Sequence, residues 1–229
     1  TVEVARKQLT AGEGERAIYM LSDGSKVILH AGSRLEVPIQ YNADSRELFL
    51  EGEAYFEVTH DPAKPFIVHT EHAYTHVLGT KFLVQAWDDA GGRVEVVVAE
   101  GKVAFGDSCS KGSSTREVIL TENQKGLLAG DEDPVLTNNI DLDWYLGWTQ
   151  GQLAFNNRPL GEIIPRLERW YVLDIQTEDE RIDAKRLTAE IDYSQPMGEV
   201  LKGIALSLDL EFEKEGRNVT FRFKGQDGS

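Results

Sequence analysis

Pro159-Leu-Gly-Glu-Ile-Ile164 and Pro196-Met-Gly-Glu-Val-Leu201 stand 37 residues apart and share one pattern of proline, glycine, glutamate and apolar side chains. At the same offset Leu167 lies over Ile204 and Ile175 over Phe212. Each copy reads as the start of a helix, because proline is tolerated in a first turn, where its missing N–H has no intrahelical partner. Leu160, Ile163, Ile164, Leu167 and Tyr171 make one apolar face, and Met197, Val200, Leu201, Ile204 and Leu208 make the other. Strand-like pieces flank both helices, at 152–155 and 173–175 and again at 187–191 and 210–212. A last strand, 219–223, returns through Glu215-Gly-Arg-Asn218. Residues 150–224 are therefore expected to form a small α+β domain of two β-α-β-like repeats with a strand added, neither of which can bury its helix alone. Pro165 is expected to bend or shorten the first turn of its helix.

Residues 1–137 carry no such helical spacing. Short alternating runs rich in β-branched and aromatic residues recur at 17–21, 26–29, 47–50, 55–58, 66–68, 81–84, 93–98, 103–105, 118–120 and 125–128, separated by turn formers. Asp23-Gly24 is a hairpin dipeptide, and Asn42-Ala43-Asp44 and Asp61-Pro62 are breakers. The expectation is a mostly β protein whose N-terminal all-β domain is a sandwich or a short β-solenoid. Leu48-Phe-Leu-Glu-Gly-Glu-Ala-Tyr-Phe56 also echoes Val97-Val-Ala-Glu-Gly-Lys-Val-Ala-Phe105, each reading as strand, Glu-Gly reversal, strand. Residues 138–149, with an Asx-rich start, read as a linker or short helix, and 225–229 as a disordered tail.

The formal net charge is −15. A phosphate-binding surface wants the opposite sign, so nucleic acid is not an expected partner, and an anionic lipid surface is disfavoured likewise. The single cysteine, Cys109, excludes an internal disulfide and a multi-cysteine zinc site. No run approaches a membrane span, and residues 1–20 lack the apolar core of a signal peptide. The sequence reads as a piece of a longer chain.

Reactive chemistry finds little purchase. His69, His72 and His76 fall within eight residues, but in a strand His69 and His72 face opposite ways and His72 and His76 lie ~13 Å apart. Solvated or packed histidines are expected there, and no metal site. The acidic runs Asp88-Asp89, Asp131-Glu132-Asp133 and Glu178-Asp179-Glu180 sit among polar loop residues and read as solvated surface. No nucleophile elbow, Walker loop or dinucleotide fingerprint is present. Cys109 lies in a polar loop with no histidine near it in sequence. Trp87, Trp144, Trp148 and Trp170 could stack sugars but are read as packing residues. No catalytic, cofactor or metal residue is assigned, and no cofactor is expected. Binding through a surface remains. The last strand is expected to be an open edge, a template for a partner's strand, which makes Val219, Thr220, Phe221, Arg222 and Phe223 the candidate partner-binding residues.

Gly14-Glu-Arg-Ala, Leu21-x-Asp-Gly-Ser25, Leu50-x-Gly-Glu-Ala-Tyr-Phe56-x-Val58, Pro65-Phe66-x-Val68-x-Thr70, Val77-Leu-Gly-Thr-x-Phe82 and Glu100-Gly-x-Val103 together resemble the periplasmic region of FecR-type anti-sigma regulators. The repeat at 150–224 is similar to the secretin/TonB short N-terminal domain. The resemblance implies a membrane-anchored signal transducer with one membrane helix. Its periplasmic part would take a signal from the N-terminal signalling domain of a TonB-dependent receptor. Its cytoplasmic segment, expected to lie outside these residues, would hold an extracytoplasmic-function sigma factor. It implies that 150–224 docks the receptor and that the chain is no enzyme. A carbohydrate-binding or cell-wall-associated β module without signalling is the alternative, to be told apart by whether the tryptophans are exposed and coplanar or buried.

Overall fold

A computed structural model describes residues 5–43, 45–87, 91–108, 117–130 and 132–225. Asp44, Asp88, Asp89, Cys109, Asp131 and the tail residues 226–229 lie outside the described residues. The chain divides into two compact units, Thr1–Leu146 and Gly147–Ser229.

The described part of the first unit is built of strands β1 (Arg6–Thr10), β2 (Ala17–Met20), β3 (Lys26–Leu29), β4 (Arg34–Pro38), β5 (Arg46–Glu57), β6 (Phe66–His69), β7 (Ala73–Val77), β8 (Lys81–Ala86), β9 (Val94–Glu100), β10 (Lys102–Asp107), β11 (Glu117–Thr121), β12 (Gln124–Leu128) and β13 (Val135–Asn138), followed by a short helix α1 (Leu142–Leu146). The two runs at 47–50 and 55–58 are one strand, β5, and it organises the rest. Its first half, to Glu51, pairs with β4 and β6, and its second half, from Gly52, pairs with β3 and β8. Two layers result, β11-β10-β7-β6-β5-β4-β1 and β2-β3-β5-β8-β9-β12-β13, joined through β5. They enclose one apolar core. Phe56 of the second layer lies 5.8 Å from Phe66 of the first and stacks on Phe82 at 5.1 Å.

The sequence echo takes on a different meaning here. Neither Glu-Gly pair reverses the chain. Gly52, at φ +97°, is where β5 leaves one layer for the other, and Gly101, at φ +94°, is where the chain crosses back from β9 to β10. Each corner is held by a hydroxyl. The Glu53 amide donates to Ser33 Oγ at 2.9 Å, and Thr80 Oγ1 donates to the Lys102 carbonyl at 2.9 Å. A Cβ on Gly52 would meet Ser33 Oγ at 2.6 Å and Ser33 Cα at 3.0 Å. β1, β4 and β13 have no counterpart among the expected strands, and β7 is set off by a turn from β6, with which the sequence reads as continuous strand. β1 buries one residue of five, β13 buries none, and the inward positions of β7 include Thr75 at 1% exposure.

Charged side chains lie inside this unit, Arg46 and Glu53 among them. Arg46 is 1% exposed. Its Nη1 donates to Asp23 Oδ2 at 3.0 Å and the Thr59 carbonyl at 2.9 Å, its Nε to the Lys64 carbonyl at 2.7 Å and its Nη2 to the Asp61 carbonyl at 3.3 Å. Asp23 accepts in turn from the Ser25 amide at 3.0 Å and hydroxyl at 2.6 Å. Burial alone would raise the Asp23 carboxyl, but the Ser25 and Arg46 hydrogen bonds outweigh it and hold the group below its ordinary value.

The second unit begins with a 3-10 turn (Gly147–Gln150) and continues β14 (Gln152–Pro159), α2 (Leu160–Tyr171), β15 (Asp174–Thr177), α3 (Glu180–Asp183), β16 (Arg186–Asp192), α4 (Met197–Leu208), β17 (Leu210–Glu215) and β18 (Asn218–Phe223). The repeat holds down to the backbone. Pro159 and Pro196 precede the helices at φ −58° and −59°, and Val172 and Asp209 end them in the left-handed region at φ 57° and 54°. Pro165 does not shorten α2, since both helices have 12 residues. α2 contacts β14 and β15, and α4 contacts β16 and β17, so strands of both the β14–β16 pair and the β15-β18-β17 sheet pack on the helices. The protein is thus mostly strand, with a smaller α/β part at its C-terminal end.

Arg46→Met should cost about 3–5 kcal/mol in urea unfolding, because it strands a buried carboxylate. Asp23 contributes stability that is complete above its unfolded value near pH 4 and lost as pH falls through its depressed folded value, so Asp23→Asn should flatten that part of the acid unfolding curve. Gly52→Ala should lower stability by more than about 1 kcal/mol, since it adds both a left-handed penalty and a clash with Ser33.

Candidate functional site

The five sequence-predicted binding residues lie on β18, and β18 is not an edge. It pairs in parallel with β15 and antiparallel with β17, so both its hydrogen-bonding sides are used and no further strand can be added to it. The expectation failed because the last strand in a chain need not be the last in its sheet: β15, made earlier, takes the place beside it. Val219 and Phe221 are fully buried, facing the helices. Phe223 lies under the Arg181 guanidinium at 5.1 Å and the Lys185 ammonium at 5.5 Å. Thr220 and Arg222 alternate onto the outward face, where Arg222 meets Glu211 at 3.0 Å and Glu213 at 3.7 Å.

The true edges of this sheet are β15 and β17. They differ. The Ile175 amide of β15 donates to the Glu168 carboxylate at 2.7 Å, so a side chain from α2 already occupies part of that edge. Along β17 no strand pairs with the other side among the described residues. Its outward side chains are Glu211, Glu213 and Glu215, a row of charges of the kind that discourages indiscriminate strand addition. Between them and β15 lies a shallow hollow of about 350 Å³, lined by Asp174, Gln176, Glu213, Glu215, Asn218 and Thr220. The surface is polar and mostly acidic.

Asp179 caps α3, accepting from the Arg181 amide at 2.9 Å, and hydrogen bonds from Arg181 pull its carboxyl down to about 2. His69 and His76 share the outer face of the first layer on the β6–β7 hairpin, and His72 stands in its turn. His69 Nε2 lies 3.1 Å from Glu47 Oε2. Among the described residues no group of three or more His, Cys, Asp or Glu side chains is arranged to hold a metal ion. Trp144 and Trp148 are buried, and Trp170 stacks on Tyr193.

Trp87 has a different setting, which the sequence did not announce. It lines a cleft of about 360 Å³ at the end of the first unit where β5 changes layers. Leu50, Ala86 and Val94 supply apolar lining, Phe49 stacks on His69 with ring centroids 5.0 Å apart, and His30 meets Trp87 edge to face at 6.1 Å. Arg34 pairs with Glu51 across β4 and β5, Arg6 with Glu36 at 2.8 Å, and Arg93 with Glu95 through Nε at 3.0 Å. The only sequence signal was alternation, in which Phe49 and Glu51 occupy the outward positions of β5.

The sequence model of the FecR protein family matches residues 7–104, and that of the FecR C-terminal region matches residues 152–221. No curated protein matches. Two crystal structures of a protein assigned as an anti-sigma factor from Parabacteroides distasonis superpose with a TM-score of 0.79 each, at 29% and 28% identity. Each comparison covers 96% of this chain and 100% of the other.

Phe221→Ala should lower stability by about 3–5 kcal/mol, the usual cost of removing a buried aromatic ring, and Val219→Ala should also destabilise. Glu213→Lys, on the exposed face of β17, should stay within about 0.5 kcal/mol of the parent. Paired denaturant titrations would show the contrast.

Proposed function

Because this chain belongs to the FecR family of anti-sigma factors, we propose that it is the periplasmic sensor region of one, relaying a signal from a TonB-dependent outer-membrane transporter to a cytoplasmic extracytoplasmic-function sigma factor by protein–protein binding. An anti-sigma factor has a sigma factor as its partner, and the family is typically membrane-anchored. No helix among the described residues is long and apolar enough to cross a membrane. In this reading the sigma factor is held by a cytoplasmic segment outside these residues, and residues 150–224 receive the transporter's N-terminal signalling domain.

The observation that carries the reading is the open edge of β17 beside the outward face of β15-β18-β17, in the unit that matches the FecR C-terminal region. A relay needs a folded surface whose occupation changes the balance between states of the molecule, and a reactive centre adds nothing to that. An unpaired strand edge flanked by directional charges supplies both main-chain bonding and choice of partner. Trp144 and Trp148 are buried, which favours a relay over a wall-binding module built on a tryptophan platform.

Titration of the isotope-labelled chain with the isolated N-terminal signalling domain of its cognate TonB-dependent transporter should shift amide signals within 150–224, with β17 and the outward face affected first. Glu213→Lys combined with Glu215→Lys should weaken the complex at least about tenfold and leave the thermal midpoint unchanged. Absence of any shift in 150–224 would overturn the proposal.

A further inference from the structure

The cleft beside Trp87 belongs to the first unit and has no part in the docking surface described above. We propose that it binds a neutral saccharide. Its volume, about 360 Å³, falls at the lower end of the ~300–1,000 Å³ usual for small-molecule sites, room for a short run of sugar rings. Its position, where turns gather at one end of a two-layer β unit, leaves it open to ligands while the layers hold its walls rigid.

The charges decide the class of ligand. Arg34 is engaged by Glu51, Arg6 by Glu36, Arg93 by Glu95 and His69 by Glu47. An anionic ligand would have to draw an arginine away from its carboxylate and would meet the Glu71 carboxylate at the rim, and a cationic one would have to break the same pairs everywhere except at Glu71, which stands 3.9 Å from His72 Nε2. Neither exchange is favoured over the pairs already made. A sugar hydroxyl donates and accepts at once, so it can bridge the guanidinium and carboxylate of an intact pair. Beside these pairs the cleft offers a flat ring for the apolar face of a sugar, the partly buried Trp87, set edge to face against His30; the Phe49 ring is already engaged by His69 and by the Arg6 guanidinium 3.8 Å from its centroid. His72, 42% exposed at its side chain, adds a donor or acceptor at the rim. Its ring stands against Gly92, where a Cβ would lie 3.1 Å from Nε2, so the glycine is what lets the imidazole lie along that wall. Leu50 and Val94 close the floor.

The test is a titration of the isotope-labelled chain with chitotriose, cellotriose, maltotriose and mannotriose. A sulfated disaccharide and trialanine serve as charged and peptidic competitors. At least one neutral trisaccharide should bind with a Kd of about 1 mM or tighter, with shifts confined to Phe49, the 69–72 turn, the Trp87 indole and Gly92. Trp87→Ala should weaken binding at least about tenfold, and Arg34→Gln combined with Glu51→Gln should weaken it without lowering the thermal midpoint. If Trp87→Ala does not fold, His72→Ala, at an exposed position, should show the same loss in milder form. The proposal fails if no neutral sugar in the panel shifts these residues, if the sulfated sugar or the peptide binds in their place, or if binding survives all three variants. The outcome is independent of the receptor titration, which reads residues 150–224.

Discussion

The connector between β5 and β6 has eight residues, 58–65, and must bring the chain from the end of β5 back to its start, because the two strands run parallel with Arg46 beside Phe66. A straight β5 of 12 residues would be ~36 Å long, and nine Cα steps cannot exceed ~34 Å even fully extended. The connector also contains a turn at Asp61–Lys64, where the Ala63 amide bonds the Asp61 carboxylate. So β5 has to fold over, and Gly52 is where it does. Its φ of +97° directs the second half of the strand into the facing layer. Arg46 then fastens the short return, holding the carbonyls of Thr59, Asp61 and Lys64 along with Asp23 of the β2–β3 turn. A buried ion pair on its own is weak support for stability. Here the guanidinium also satisfies three backbone carbonyls of the connector, those of Thr59, Asp61 and Lys64.

The second unit solves its own connection problem by repetition. Proline before each helix and a left-handed residue after it, 37 positions apart in both cases, set the angles at which the strands enter and leave. Asp209 adopts that conformation readily, whereas Val172, branched at Cβ, does so at a cost. Its carbonyl accepts from Arg217 at 3.0 Å and its amide bonds back to Glu168, so the strained residue is fixed from both sides. Glu168 thus serves the helix end through its backbone and the β15 edge through its carboxylate.

Most of this was legible in the chain. The helices, the strands about them and the mostly β first unit follow from spacing alone, because apolar periodicity reports directly on which faces are buried. What spacing cannot report is which strands become neighbours. The echo at Gly52 and Gly101 was visible, but a glycine that turns a corner between layers and one that reverses a hairpin look alike in sequence; only the partners of the flanking strands separate them. The same limit misplaced the edge. β18 alternates Val219, Phe221 and Phe223 with polar residues as any half-buried strand would, and its central position depends on β15, whose paired residues stand 44 positions earlier, Asp174 beside Asn218. The cleft at Trp87 was hidden for a related reason. Its walls come from β4, β5, the β6–β7 turn and the ends of β8 and β9, which are adjacent only after the layers close.

The placement of β18 also restricts how the C-terminal unit can meet another protein. Burying Val219 and Phe221 in the central strand ties the helices to the sheet, so a partner that displaced this strand would have to unpack the unit's core. Recognition that preserves the fold can use the outward face and the rim of this sheet. Of the two rims, β15 is four residues long and partly occupied by Glu168, whereas β17 is six residues long and carries three glutamates. Acidic side chains on an edge repel a second acidic chain, and this chain is itself strongly acidic, so the same charges that keep copies apart select for a partner of opposite sign. Arg222 sits within that row, bonded to Glu211 and near Glu213, and offsets part of its charge. On the docking role proposed for this unit, the surface would favour a basic or mixed strand in one register over a uniformly cationic one.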